Sequence, residues 1–243
     1  MLESYKTAAQ NPFSLNPSVL RDILRHARPL GHHEDAESLN LGFGFLYYGL
    51  VRALRPRHVL VIGSGFGFSV TCLGLGLKDN GSGELTFVDP SFSVLKNGPL
   101  HTVGGTSQWD DPKQVKARFA RFGLDQIVTH HKLRSEDFFR RYDQLKLAQI
   151  DLAFIDGNHA YEHVRHDFIN VLKTARKNCY ILLHDSNIYL REMLRHAGVK
   201  RWLKQVSKHK ELVEIMDFPF ASGVALVRVL RNNAWKYIDS TSS

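Results

Sequence analysis

The stretch "VLVIGSGFGFS", residues 59–69, decides the fold. A short apolar run ends in three alternating glycines, Gly63, Gly65 and Gly67, and an amphipathic stretch follows. An apolar run closed by glycine reads as a buried strand, and the glycines predict a tight turn into a helix over residues 68–78. At such a turn backbone N–H groups can approach a ligand, and the helix N-terminus favours a negative group there.

The next apolar run, "ELTFVD" (84–89), ends at Asp89. A carboxylate at that strand end can accept hydrogen bonds from ribose hydroxyls, so the turn and the acid together mark a cofactor that contains a nucleoside. The dinucleotide fingerprint requires a glycine three positions after Gly65, and Phe68 stands there instead. The spacing suits S-adenosylmethionine better than NAD.

Outward from this unit, short apolar runs alternate with amphipathic stretches, the pattern of a parallel sheet with crossover helices. Strands are expected at 58–63, 84–89, 127–133, 150–156 and 179–185, with helices over 68–78, 112–122, 135–142, 161–176 and 187–207. Two last strands, 212–218 and 223–230, are separated only by "PFAS", too short for a helical crossover, which predicts an antiparallel hairpin at the sheet's end. The expected fold is a Rossmann-like, doubly wound α/β domain with a seven-stranded, mostly parallel sheet. Residues 1–56 read as an N-terminal helical extension packed on the core, 57–232 as the Rossmann-like domain and 233–243 as a tail that should fray. The segment 97–112 exceeds the usual loop length, and Trp109 and Asp110 within it could close over an acceptor.

Composition narrows the partners. With 243 residues, 43% hydrophobic and 23% charged, the chain is of ordinary globular make-up, and one domain is expected. No apolar run approaches the roughly 20 residues a bilayer requires, and the opening residues lack a signal-peptide pattern, so no membrane partner and a cytoplasmic location are expected. Cys72 and Cys179 sit in apolar runs without CxxC spacing and read as core residues. The formal charge of +8 would attract an anionic small molecule, but the basic residues are dispersed and no nucleic-acid motif is present, so nucleic acid is not favoured. A homo-oligomer is left open.

"VLVIGSGFGFS" with "LTFVDP" resembles motifs I and II of class I S-adenosylmethionine-dependent methyltransferases. More narrowly, "IDLAFIDGNHAYEHVRHDFINVL" (150–172), "CYILLHDS" (179–186), "AGVKRWLKQV" (197–206) and "FPFASGVALVRV" (218–229) resemble small-molecule O-methyltransferases of the macrocin and mycinamicin type. The resemblance implies that Gly63, Ser64, Gly65 and Gly67 wrap the methionine and ribose of the cofactor and that Asp89 holds the ribose diol. It also places Ser135 and Glu136 near the adenine. Tyr161, Glu162 and Asp167 match the helix after the histidine, where such residues more often tie the helix to neighbouring loops.

Asp156 and Asp185 end two strands expected to be neighbours, beside the cofactor at the carboxyl edge of the sheet, where they could converge on one cation or substrate group. With Asn187 nearby the oxygen donors would suit Mg²⁺. In the resembling enzymes the matching acids hold Mg²⁺ that orients a substrate hydroxyl, and the histidine three after the first acid is the general base, which implies His159. Methyl transfer to oxygen independently needs such a base near neutral pH. His184 departs from the pattern, because metal-binding relatives commonly carry an acid there; as a ligand it would suit a transition metal better than Mg²⁺. "HHEDAES" (32–38) lacks a strict ligand spacing, and the adjacent His130 and His131 should face opposite sides of their strand. Two other functions share some of these features: a NAD-dependent oxidoreductase, and a non-catalytic cofactor-binding module with a basic surface.

Overall fold

A computed structural model describes residues 13–91, 95–97, 100–102, 107–187 and 198–240. In chain order it begins with α1 (Pro17–Asp22), which continues into a π-helical turn (Ile23–Ala27), then α2 (Phe43–Leu54), β1 (His58–Ile62), α3 (Phe68–Asn80) and β2 (Glu84–Val88). Next come β3 (Leu95–Asn97), β4 (Leu100–Thr102), α4 (Pro112–Ala120), β5 (Val128–His131), α5 (Ser135–Arg140), α6 (Tyr142–Leu145) and β6 (Ile150–Ile155). The chain closes with α7 (Tyr161–Thr174), β7 (Ala175–His184), α8 (Gly198–Val206), β8 (Val213–Phe218), β9 (Val224–Val229) and α9 (Trp235–Ser240). No helix of the described residues is long and apolar enough to cross a membrane.

Seven strands form one sheet in the order β5-β2-β1-β6-β7-β9-β8. Pairing is parallel from β5 through β7, and β9 runs antiparallel to both β7 and β8, as the short "PFAS" link requires. The order reverses at β1, so a crevice opens beyond the carboxyl ends of β1 and β6, the switch point where ligands of open α/β sheets bind.

Strand alternation splits the core into two apolar clusters, one on each face. In β1, Leu60 and Ile62 join Val164 and Phe168 of α7, whereas Val59 and Val61 join Tyr47 and Val51 of α2 and Leu73 of α3. The N-terminal helices thus cover one face of the sheet. Asp79 of α3 fastens them further by accepting from the Tyr48 hydroxyl at 2.6 Å and the Ser14 N–H at 2.8 Å.

Local sequence explains the helix ends. Asn16 accepts from the N–H groups of Ser18 and Val19 ahead of α1, and Pro17 takes the first helical position. α3 stops at Gly81, which adopts φ +66°.

Three details differ from the expected pattern. The helix expected over 161–176 ends at Thr174, and β7 begins at once, its register against β6 shifting between Ile150 and Leu152. The segment expected as irregular at 97–112 lies partly in the antiparallel pair β3–β4. Residues read as part of a tail form α9, whose Ile238 is buried against the α7 face. The expected helix over 188–197 and the end of the tail, 241–243, lie outside the described residues.

Candidate active site

At the end of β1 the three glycines adopt φ +70°, +46° and +92° in turn. A side chain at Gly63 would put a Cβ 2.4 Å from the Asp156 carbonyl oxygen, and one at Gly67 would strike the Trp109 ring at 2.8 Å. A Cβ at Gly65 would meet nothing within 4 Å, so the outer edge of the turn faces open space that a ligand can enter. Trp109, which the sequence left able to close over an acceptor, lies buried beneath this turn. Its ring stacks on Phe119 and meets Phe87 edge-on, and its Nε1–H donates to the Gly65 carbonyl at 3.1 Å. Aromatic neighbours on β2 and α4 draw this indole into the core, where it supports the glycine turn.

Asp89, one residue past β2, is 7% exposed and accepts the Ser91 N–H at 2.7 Å. Burial pushes its carboxyl up to about 6, although backbone hydrogen bonds from Ser91 and Ser64 pull the other way. The Ser64 hydroxyl bonds to Ser69 at 2.6 Å, which closes the turn onto the first residues of α3.

Past β5, Ser135 hydrogen-bonds to Asp167 of α7, which is buried at 2% exposure, and Asp167 also accepts from His166 Nδ1 at 3.1 Å. Glu136 pairs with His163 at 3.1 Å. The start of α5 is therefore tied to α7 through Asp167, one of the three helix residues singled out in the sequence, and through His163, which was not. His130 and His131 point to opposite faces, one bonded to the Asp89 carbonyl at 3.1 Å and the other packed on Phe138.

The register of β6 on β7 builds the other half of the site. Ile155 is paired with Leu183, so the next residues on each strand, Asp156 and His184, come side by side. His184 Nδ1 lies 2.9 Å from Asp156 Oδ1. Asp185 follows with φ +63° and is reached through His159, whose Nδ1 lies 2.7 Å from Asp185 Oδ2 and whose Nε2 lies 3.3 Å from Asp156 Oδ1. The two carboxylates expected to converge are thus bridged by two imidazoles. Burial opposes every charge here, but the opposite charges outweigh it. Asp156 is held well below the usual carboxylate range by His184 and His159, and Asp185 is lowered by His159 and His184. His184 is raised by Asp156 and Asp185, and His159 is lifted by Asp185 and Asp156 to about 9.

Residues that the sequence reading left without a role complete the cluster. Asp156 has the strand parity of Phe154, and His184 that of Leu182, so both belong to the face covered by the N-terminal helices. From "HHEDAES", His32 is buried there, with its ring stacked on His184 at 4.2 Å between centroids and its Nδ1 2.9 Å from the Tyr47 hydroxyl. Burial and the neighbouring charge on His184 push His32 down to about 3. From the β8–β9 link, the Ser222 hydroxyl lies 2.8 Å from His184 Nε2 and donates to the Gly31 carbonyl at 2.7 Å. Asn187 turns its amide to the Pro219 carbonyl at 2.8 Å. The "FPFASG" motif signalled the Ser222 position, whereas Tyr47 had only its helical surroundings to signal it and His32 only a polar segment between two helices.

The turn and Asp89 fit an adenosyl cofactor: an open edge at Gly65, adjacent backbone donors at the start of α3 and a buried acceptor for a diol. Mg²⁺ fits poorly. It prefers an octahedron of oxygen donors at about 2.1 Å, whereas imidazoles stand between the only two carboxylates of the cluster. Two sets of side chains bring one ligand atom each to within 4.8 Å of one another, His32–Asp156–His184 and His159–His184–Asp185, and both mix nitrogen with oxygen. No described pairing joins Asp156 directly to Asp185.

Solved structures share this fold over nearly the whole chain. The O-methyltransferase TomG of Streptomyces achromogenes, involved in tomaymycin synthesis and solved with SAM, is 19% identical with a TM-score of 0.62, covering 94% of this chain and 95% of its own. An O-methyltransferase from Bacillus cereus in complex with SAH is 17% identical with a TM-score of 0.63, covering 93% and 96%. The SAH-bound methyltransferase PaMTH1 of Podospora anserina is 17% identical with a TM-score of 0.57, covering 95% and 97%. At these identities the likeness is one of fold. The protein y4gI of Sinorhizobium fredii is 24% identical over 199 residues, and this chain spans about a fifth of that protein's length, the match covering 81% of the chain and 20% of the relative. The family described as a methyltransferase domain matches residues 60–186, from β1 to just past β7 and more than half of the sequence, and the chain belongs to that family.

Proposed function

We propose that this protein transfers a methyl group from S-adenosylmethionine to a hydroxyl of a small-molecule acceptor. The observation behind the reading is the convergence on one crevice of the open glycine turn, the buried Asp89 and the His159–Asp185 pair. S-adenosylmethionine supplies an electrophilic methyl group on a sulfonium. Gly63, Ser64, Gly65 and Gly67 would hold its methionine and ribose, and Asp89 would accept the ribose diol. Ser135 and Glu136 would border the adenine, and Asp156 would close the cofactor end of the crevice.

His159 is the proposed general base. Its shorter contact, Nδ1 to Asp185 at 2.7 Å, orients the ring and fixes the N–H on that nitrogen. Nε2, at 3.3 Å from Asp156, is the more loosely held nitrogen; because the two carboxylates lift the ring to about 9, it takes the acceptor's proton only after losing its own, so turnover should rise with pH towards about 9. Holding both reactants in line supplies much of the remaining acceleration through proximity. The formal charge of +8 favours an acceptor that carries negative charge.

A nicotinamide-dependent reading is not favoured. Phe68 takes the place of the dinucleotide glycine, and its ring is buried against His32 and Tyr47. Calorimetric titration with S-adenosylhomocysteine tests the proposal. Binding in the micromolar range supports it, and no heat of binding at millimolar ligand refutes it.

A further inference from the structure

At the other end of the sheet, away from the crevice, a cavity opens where β1, β6 and β7 begin. Its volume is about 230 Å³, and Arg55, Arg57 and Arg176 line it together with Asp151, Asn178 and Tyr180. The register of β6 on β7 shapes one wall. Between the pairs Ile150–Ala175 and Leu152–Tyr180, β6 advances two residues and β7 five, so residues 176–179 bulge opposite Asp151. Bulges of this kind re-aim side chains, and Asn178 within this one adopts φ +63°. On the opposite wall Arg55 ends α2 at φ +48°.

The lining carries three guanidinium groups against one carboxylate, and that carboxylate is already engaged. Asp151 Oδ2 accepts the N–H groups of Arg57 and His58 at 2.8 and 3.2 Å, and Oδ1 pairs with Arg176 Nε at 3.3 Å. The side chains of Arg55 and Arg57 make no hydrogen bond or ion pair among the described residues, and neither do the Asn178 amide and the Tyr180 hydroxyl. The cavity therefore holds an excess of positive charge and several donors without a protein acceptor.

We propose that Arg55, Arg57 and Arg176, with Asn178 and Tyr180, bind the phosphate group of a small anion at the edge of the sheet where the strands begin. The planar fork of a guanidinium matches phosphate oxygens two at a time. A phosphate monoester carries close to two negative charges near neutral pH, which balances the excess of the lining, whereas a single carboxylate balances half of it. The amide and the hydroxyl supply donors for a further oxygen. Size agrees with this assignment. The cavity exceeds the roughly 30 Å³ share of one water and falls below the roughly 300–1,000 Å³ of drug-sized pockets, so it suits free phosphate or a short ester rather than a nucleotide. β1, five residues long at about 3.3 Å each, separates Arg57 from the glycine turn. The site is thus distinct from the crevice and stands independently of the methyl-transfer reading.

Calorimetric titration of the full chain with inorganic phosphate, glycerol phosphate and acetate, all at one ionic strength, tests the site. One phosphate per chain is expected, with acetate at least about tenfold weaker because it engages a single fork. Arg55→Gln and Arg57→Gln should each weaken phosphate binding by about 10–100-fold, the range for one charge-assisted donor. Both arginines are exposed, so these variants keep the fold, and Lys113→Gln, an exposed cation on α4, should leave binding unchanged. Tighter binding of glycerol phosphate identifies a phosphorylated small molecule as the ligand, and equal or weaker binding identifies free phosphate; both outcomes support the site. The proposal is overturned if no saturable binding occurs at millimolar phosphate, if acetate binds as well as phosphate, or if both arginine variants bind like the wild type. Saturating S-adenosylhomocysteine should leave phosphate affinity unchanged, and competition between the two would place the anion in the crevice and overturn the proposal.

Discussion

The two sides of the crevice are built in opposite ways. On the proposed cofactor side Gly63, Gly65, Gly67 and Asp89 all belong to one β1–α3–β2 unit, and each is placed by the backbone conformation or strand end it occupies. On the other side His32, Asp156, His159, His184 and Ser222 come from four separate parts of the chain and meet only because β6 and β7 pair in one register and the N-terminal helices cover one face. The first side depends on local geometry. The second depends on packing, so it should tolerate different substitutions and fail in different ways.

The largest expected effect tests this division directly. His159→Ala should lower kcat by about 10²–10⁴-fold, the range for removing a general base, while S-adenosylhomocysteine affinity stays within about twofold of wild type. Single-turnover kinetics alongside calorimetry measures both quantities on one preparation. If affinity falls as far as turnover, His159 belongs to the cofactor side and the separation does not hold.

Gly63→Ala probes where the two sides touch. Its φ of +70° and the 2.4 Å approach of a new Cβ to the Asp156 carbonyl would force β1 away from β6. The strained backbone alone costs about 1–3 kcal/mol, so a clear loss of stability in urea unfolding is expected. Gly65→Ala shares the positive φ but meets open space, and its main effect should be on cofactor affinity. Equal destabilisation by the two substitutions would mean that the turn is not pressed on Asp156 as described.

Legibility in the sequence follows the same line. The strand positions, the antiparallel end and the glycine turn could be read because hydrophobic periodicity and glycine placement are local signals. Asp156 and Asp185 were rightly placed at neighbouring strand ends, yet that His184 would stand beside Asp156 follows from the Ile155–Leu183 pairing, a one-residue matter of register. Whether Trp109 closes over an acceptor or packs inside could not be decided from sequence, because an indole in a long polar segment gives no sign of the pocket formed by Phe87 and Phe119. His32 was set aside because ligand spacing within "HHEDAES" cannot reveal a partner on β7.

Asp89→Asn tests the cofactor side alone. Charge-assisted hydrogen bonds contribute about 1.5–3 kcal/mol each, so replacing the carboxylate should weaken S-adenosylhomocysteine binding by roughly 10–100-fold, with turnover at saturating cofactor little changed. A variant that binds normally would remove Asp89 from the site.

The smallest expected effect comes from the pH dependence of the same residue. Burial lifts the Asp89 carboxyl to about 6, above the unfolded value of about 3.9. For the cofactor-free protein this contributes stability below about pH 4 that is lost as pH rises through about 6. Cofactor binding runs the other way, because the ribose hydroxyls need the ionised acceptor. Affinity for S-adenosylhomocysteine should therefore be flat above pH 7 and weaken by about tenfold between pH 7.5 and pH 5. Asn has no such proton, so Asp89→Asn should bind weakly with a flat profile over that range. A wild-type affinity independent of pH from 5 to 7.5 would mean that the cofactor does not draw on the charge of Asp89, and the contrast between a backbone-built side and a packed side would lose its one ionisable anchor.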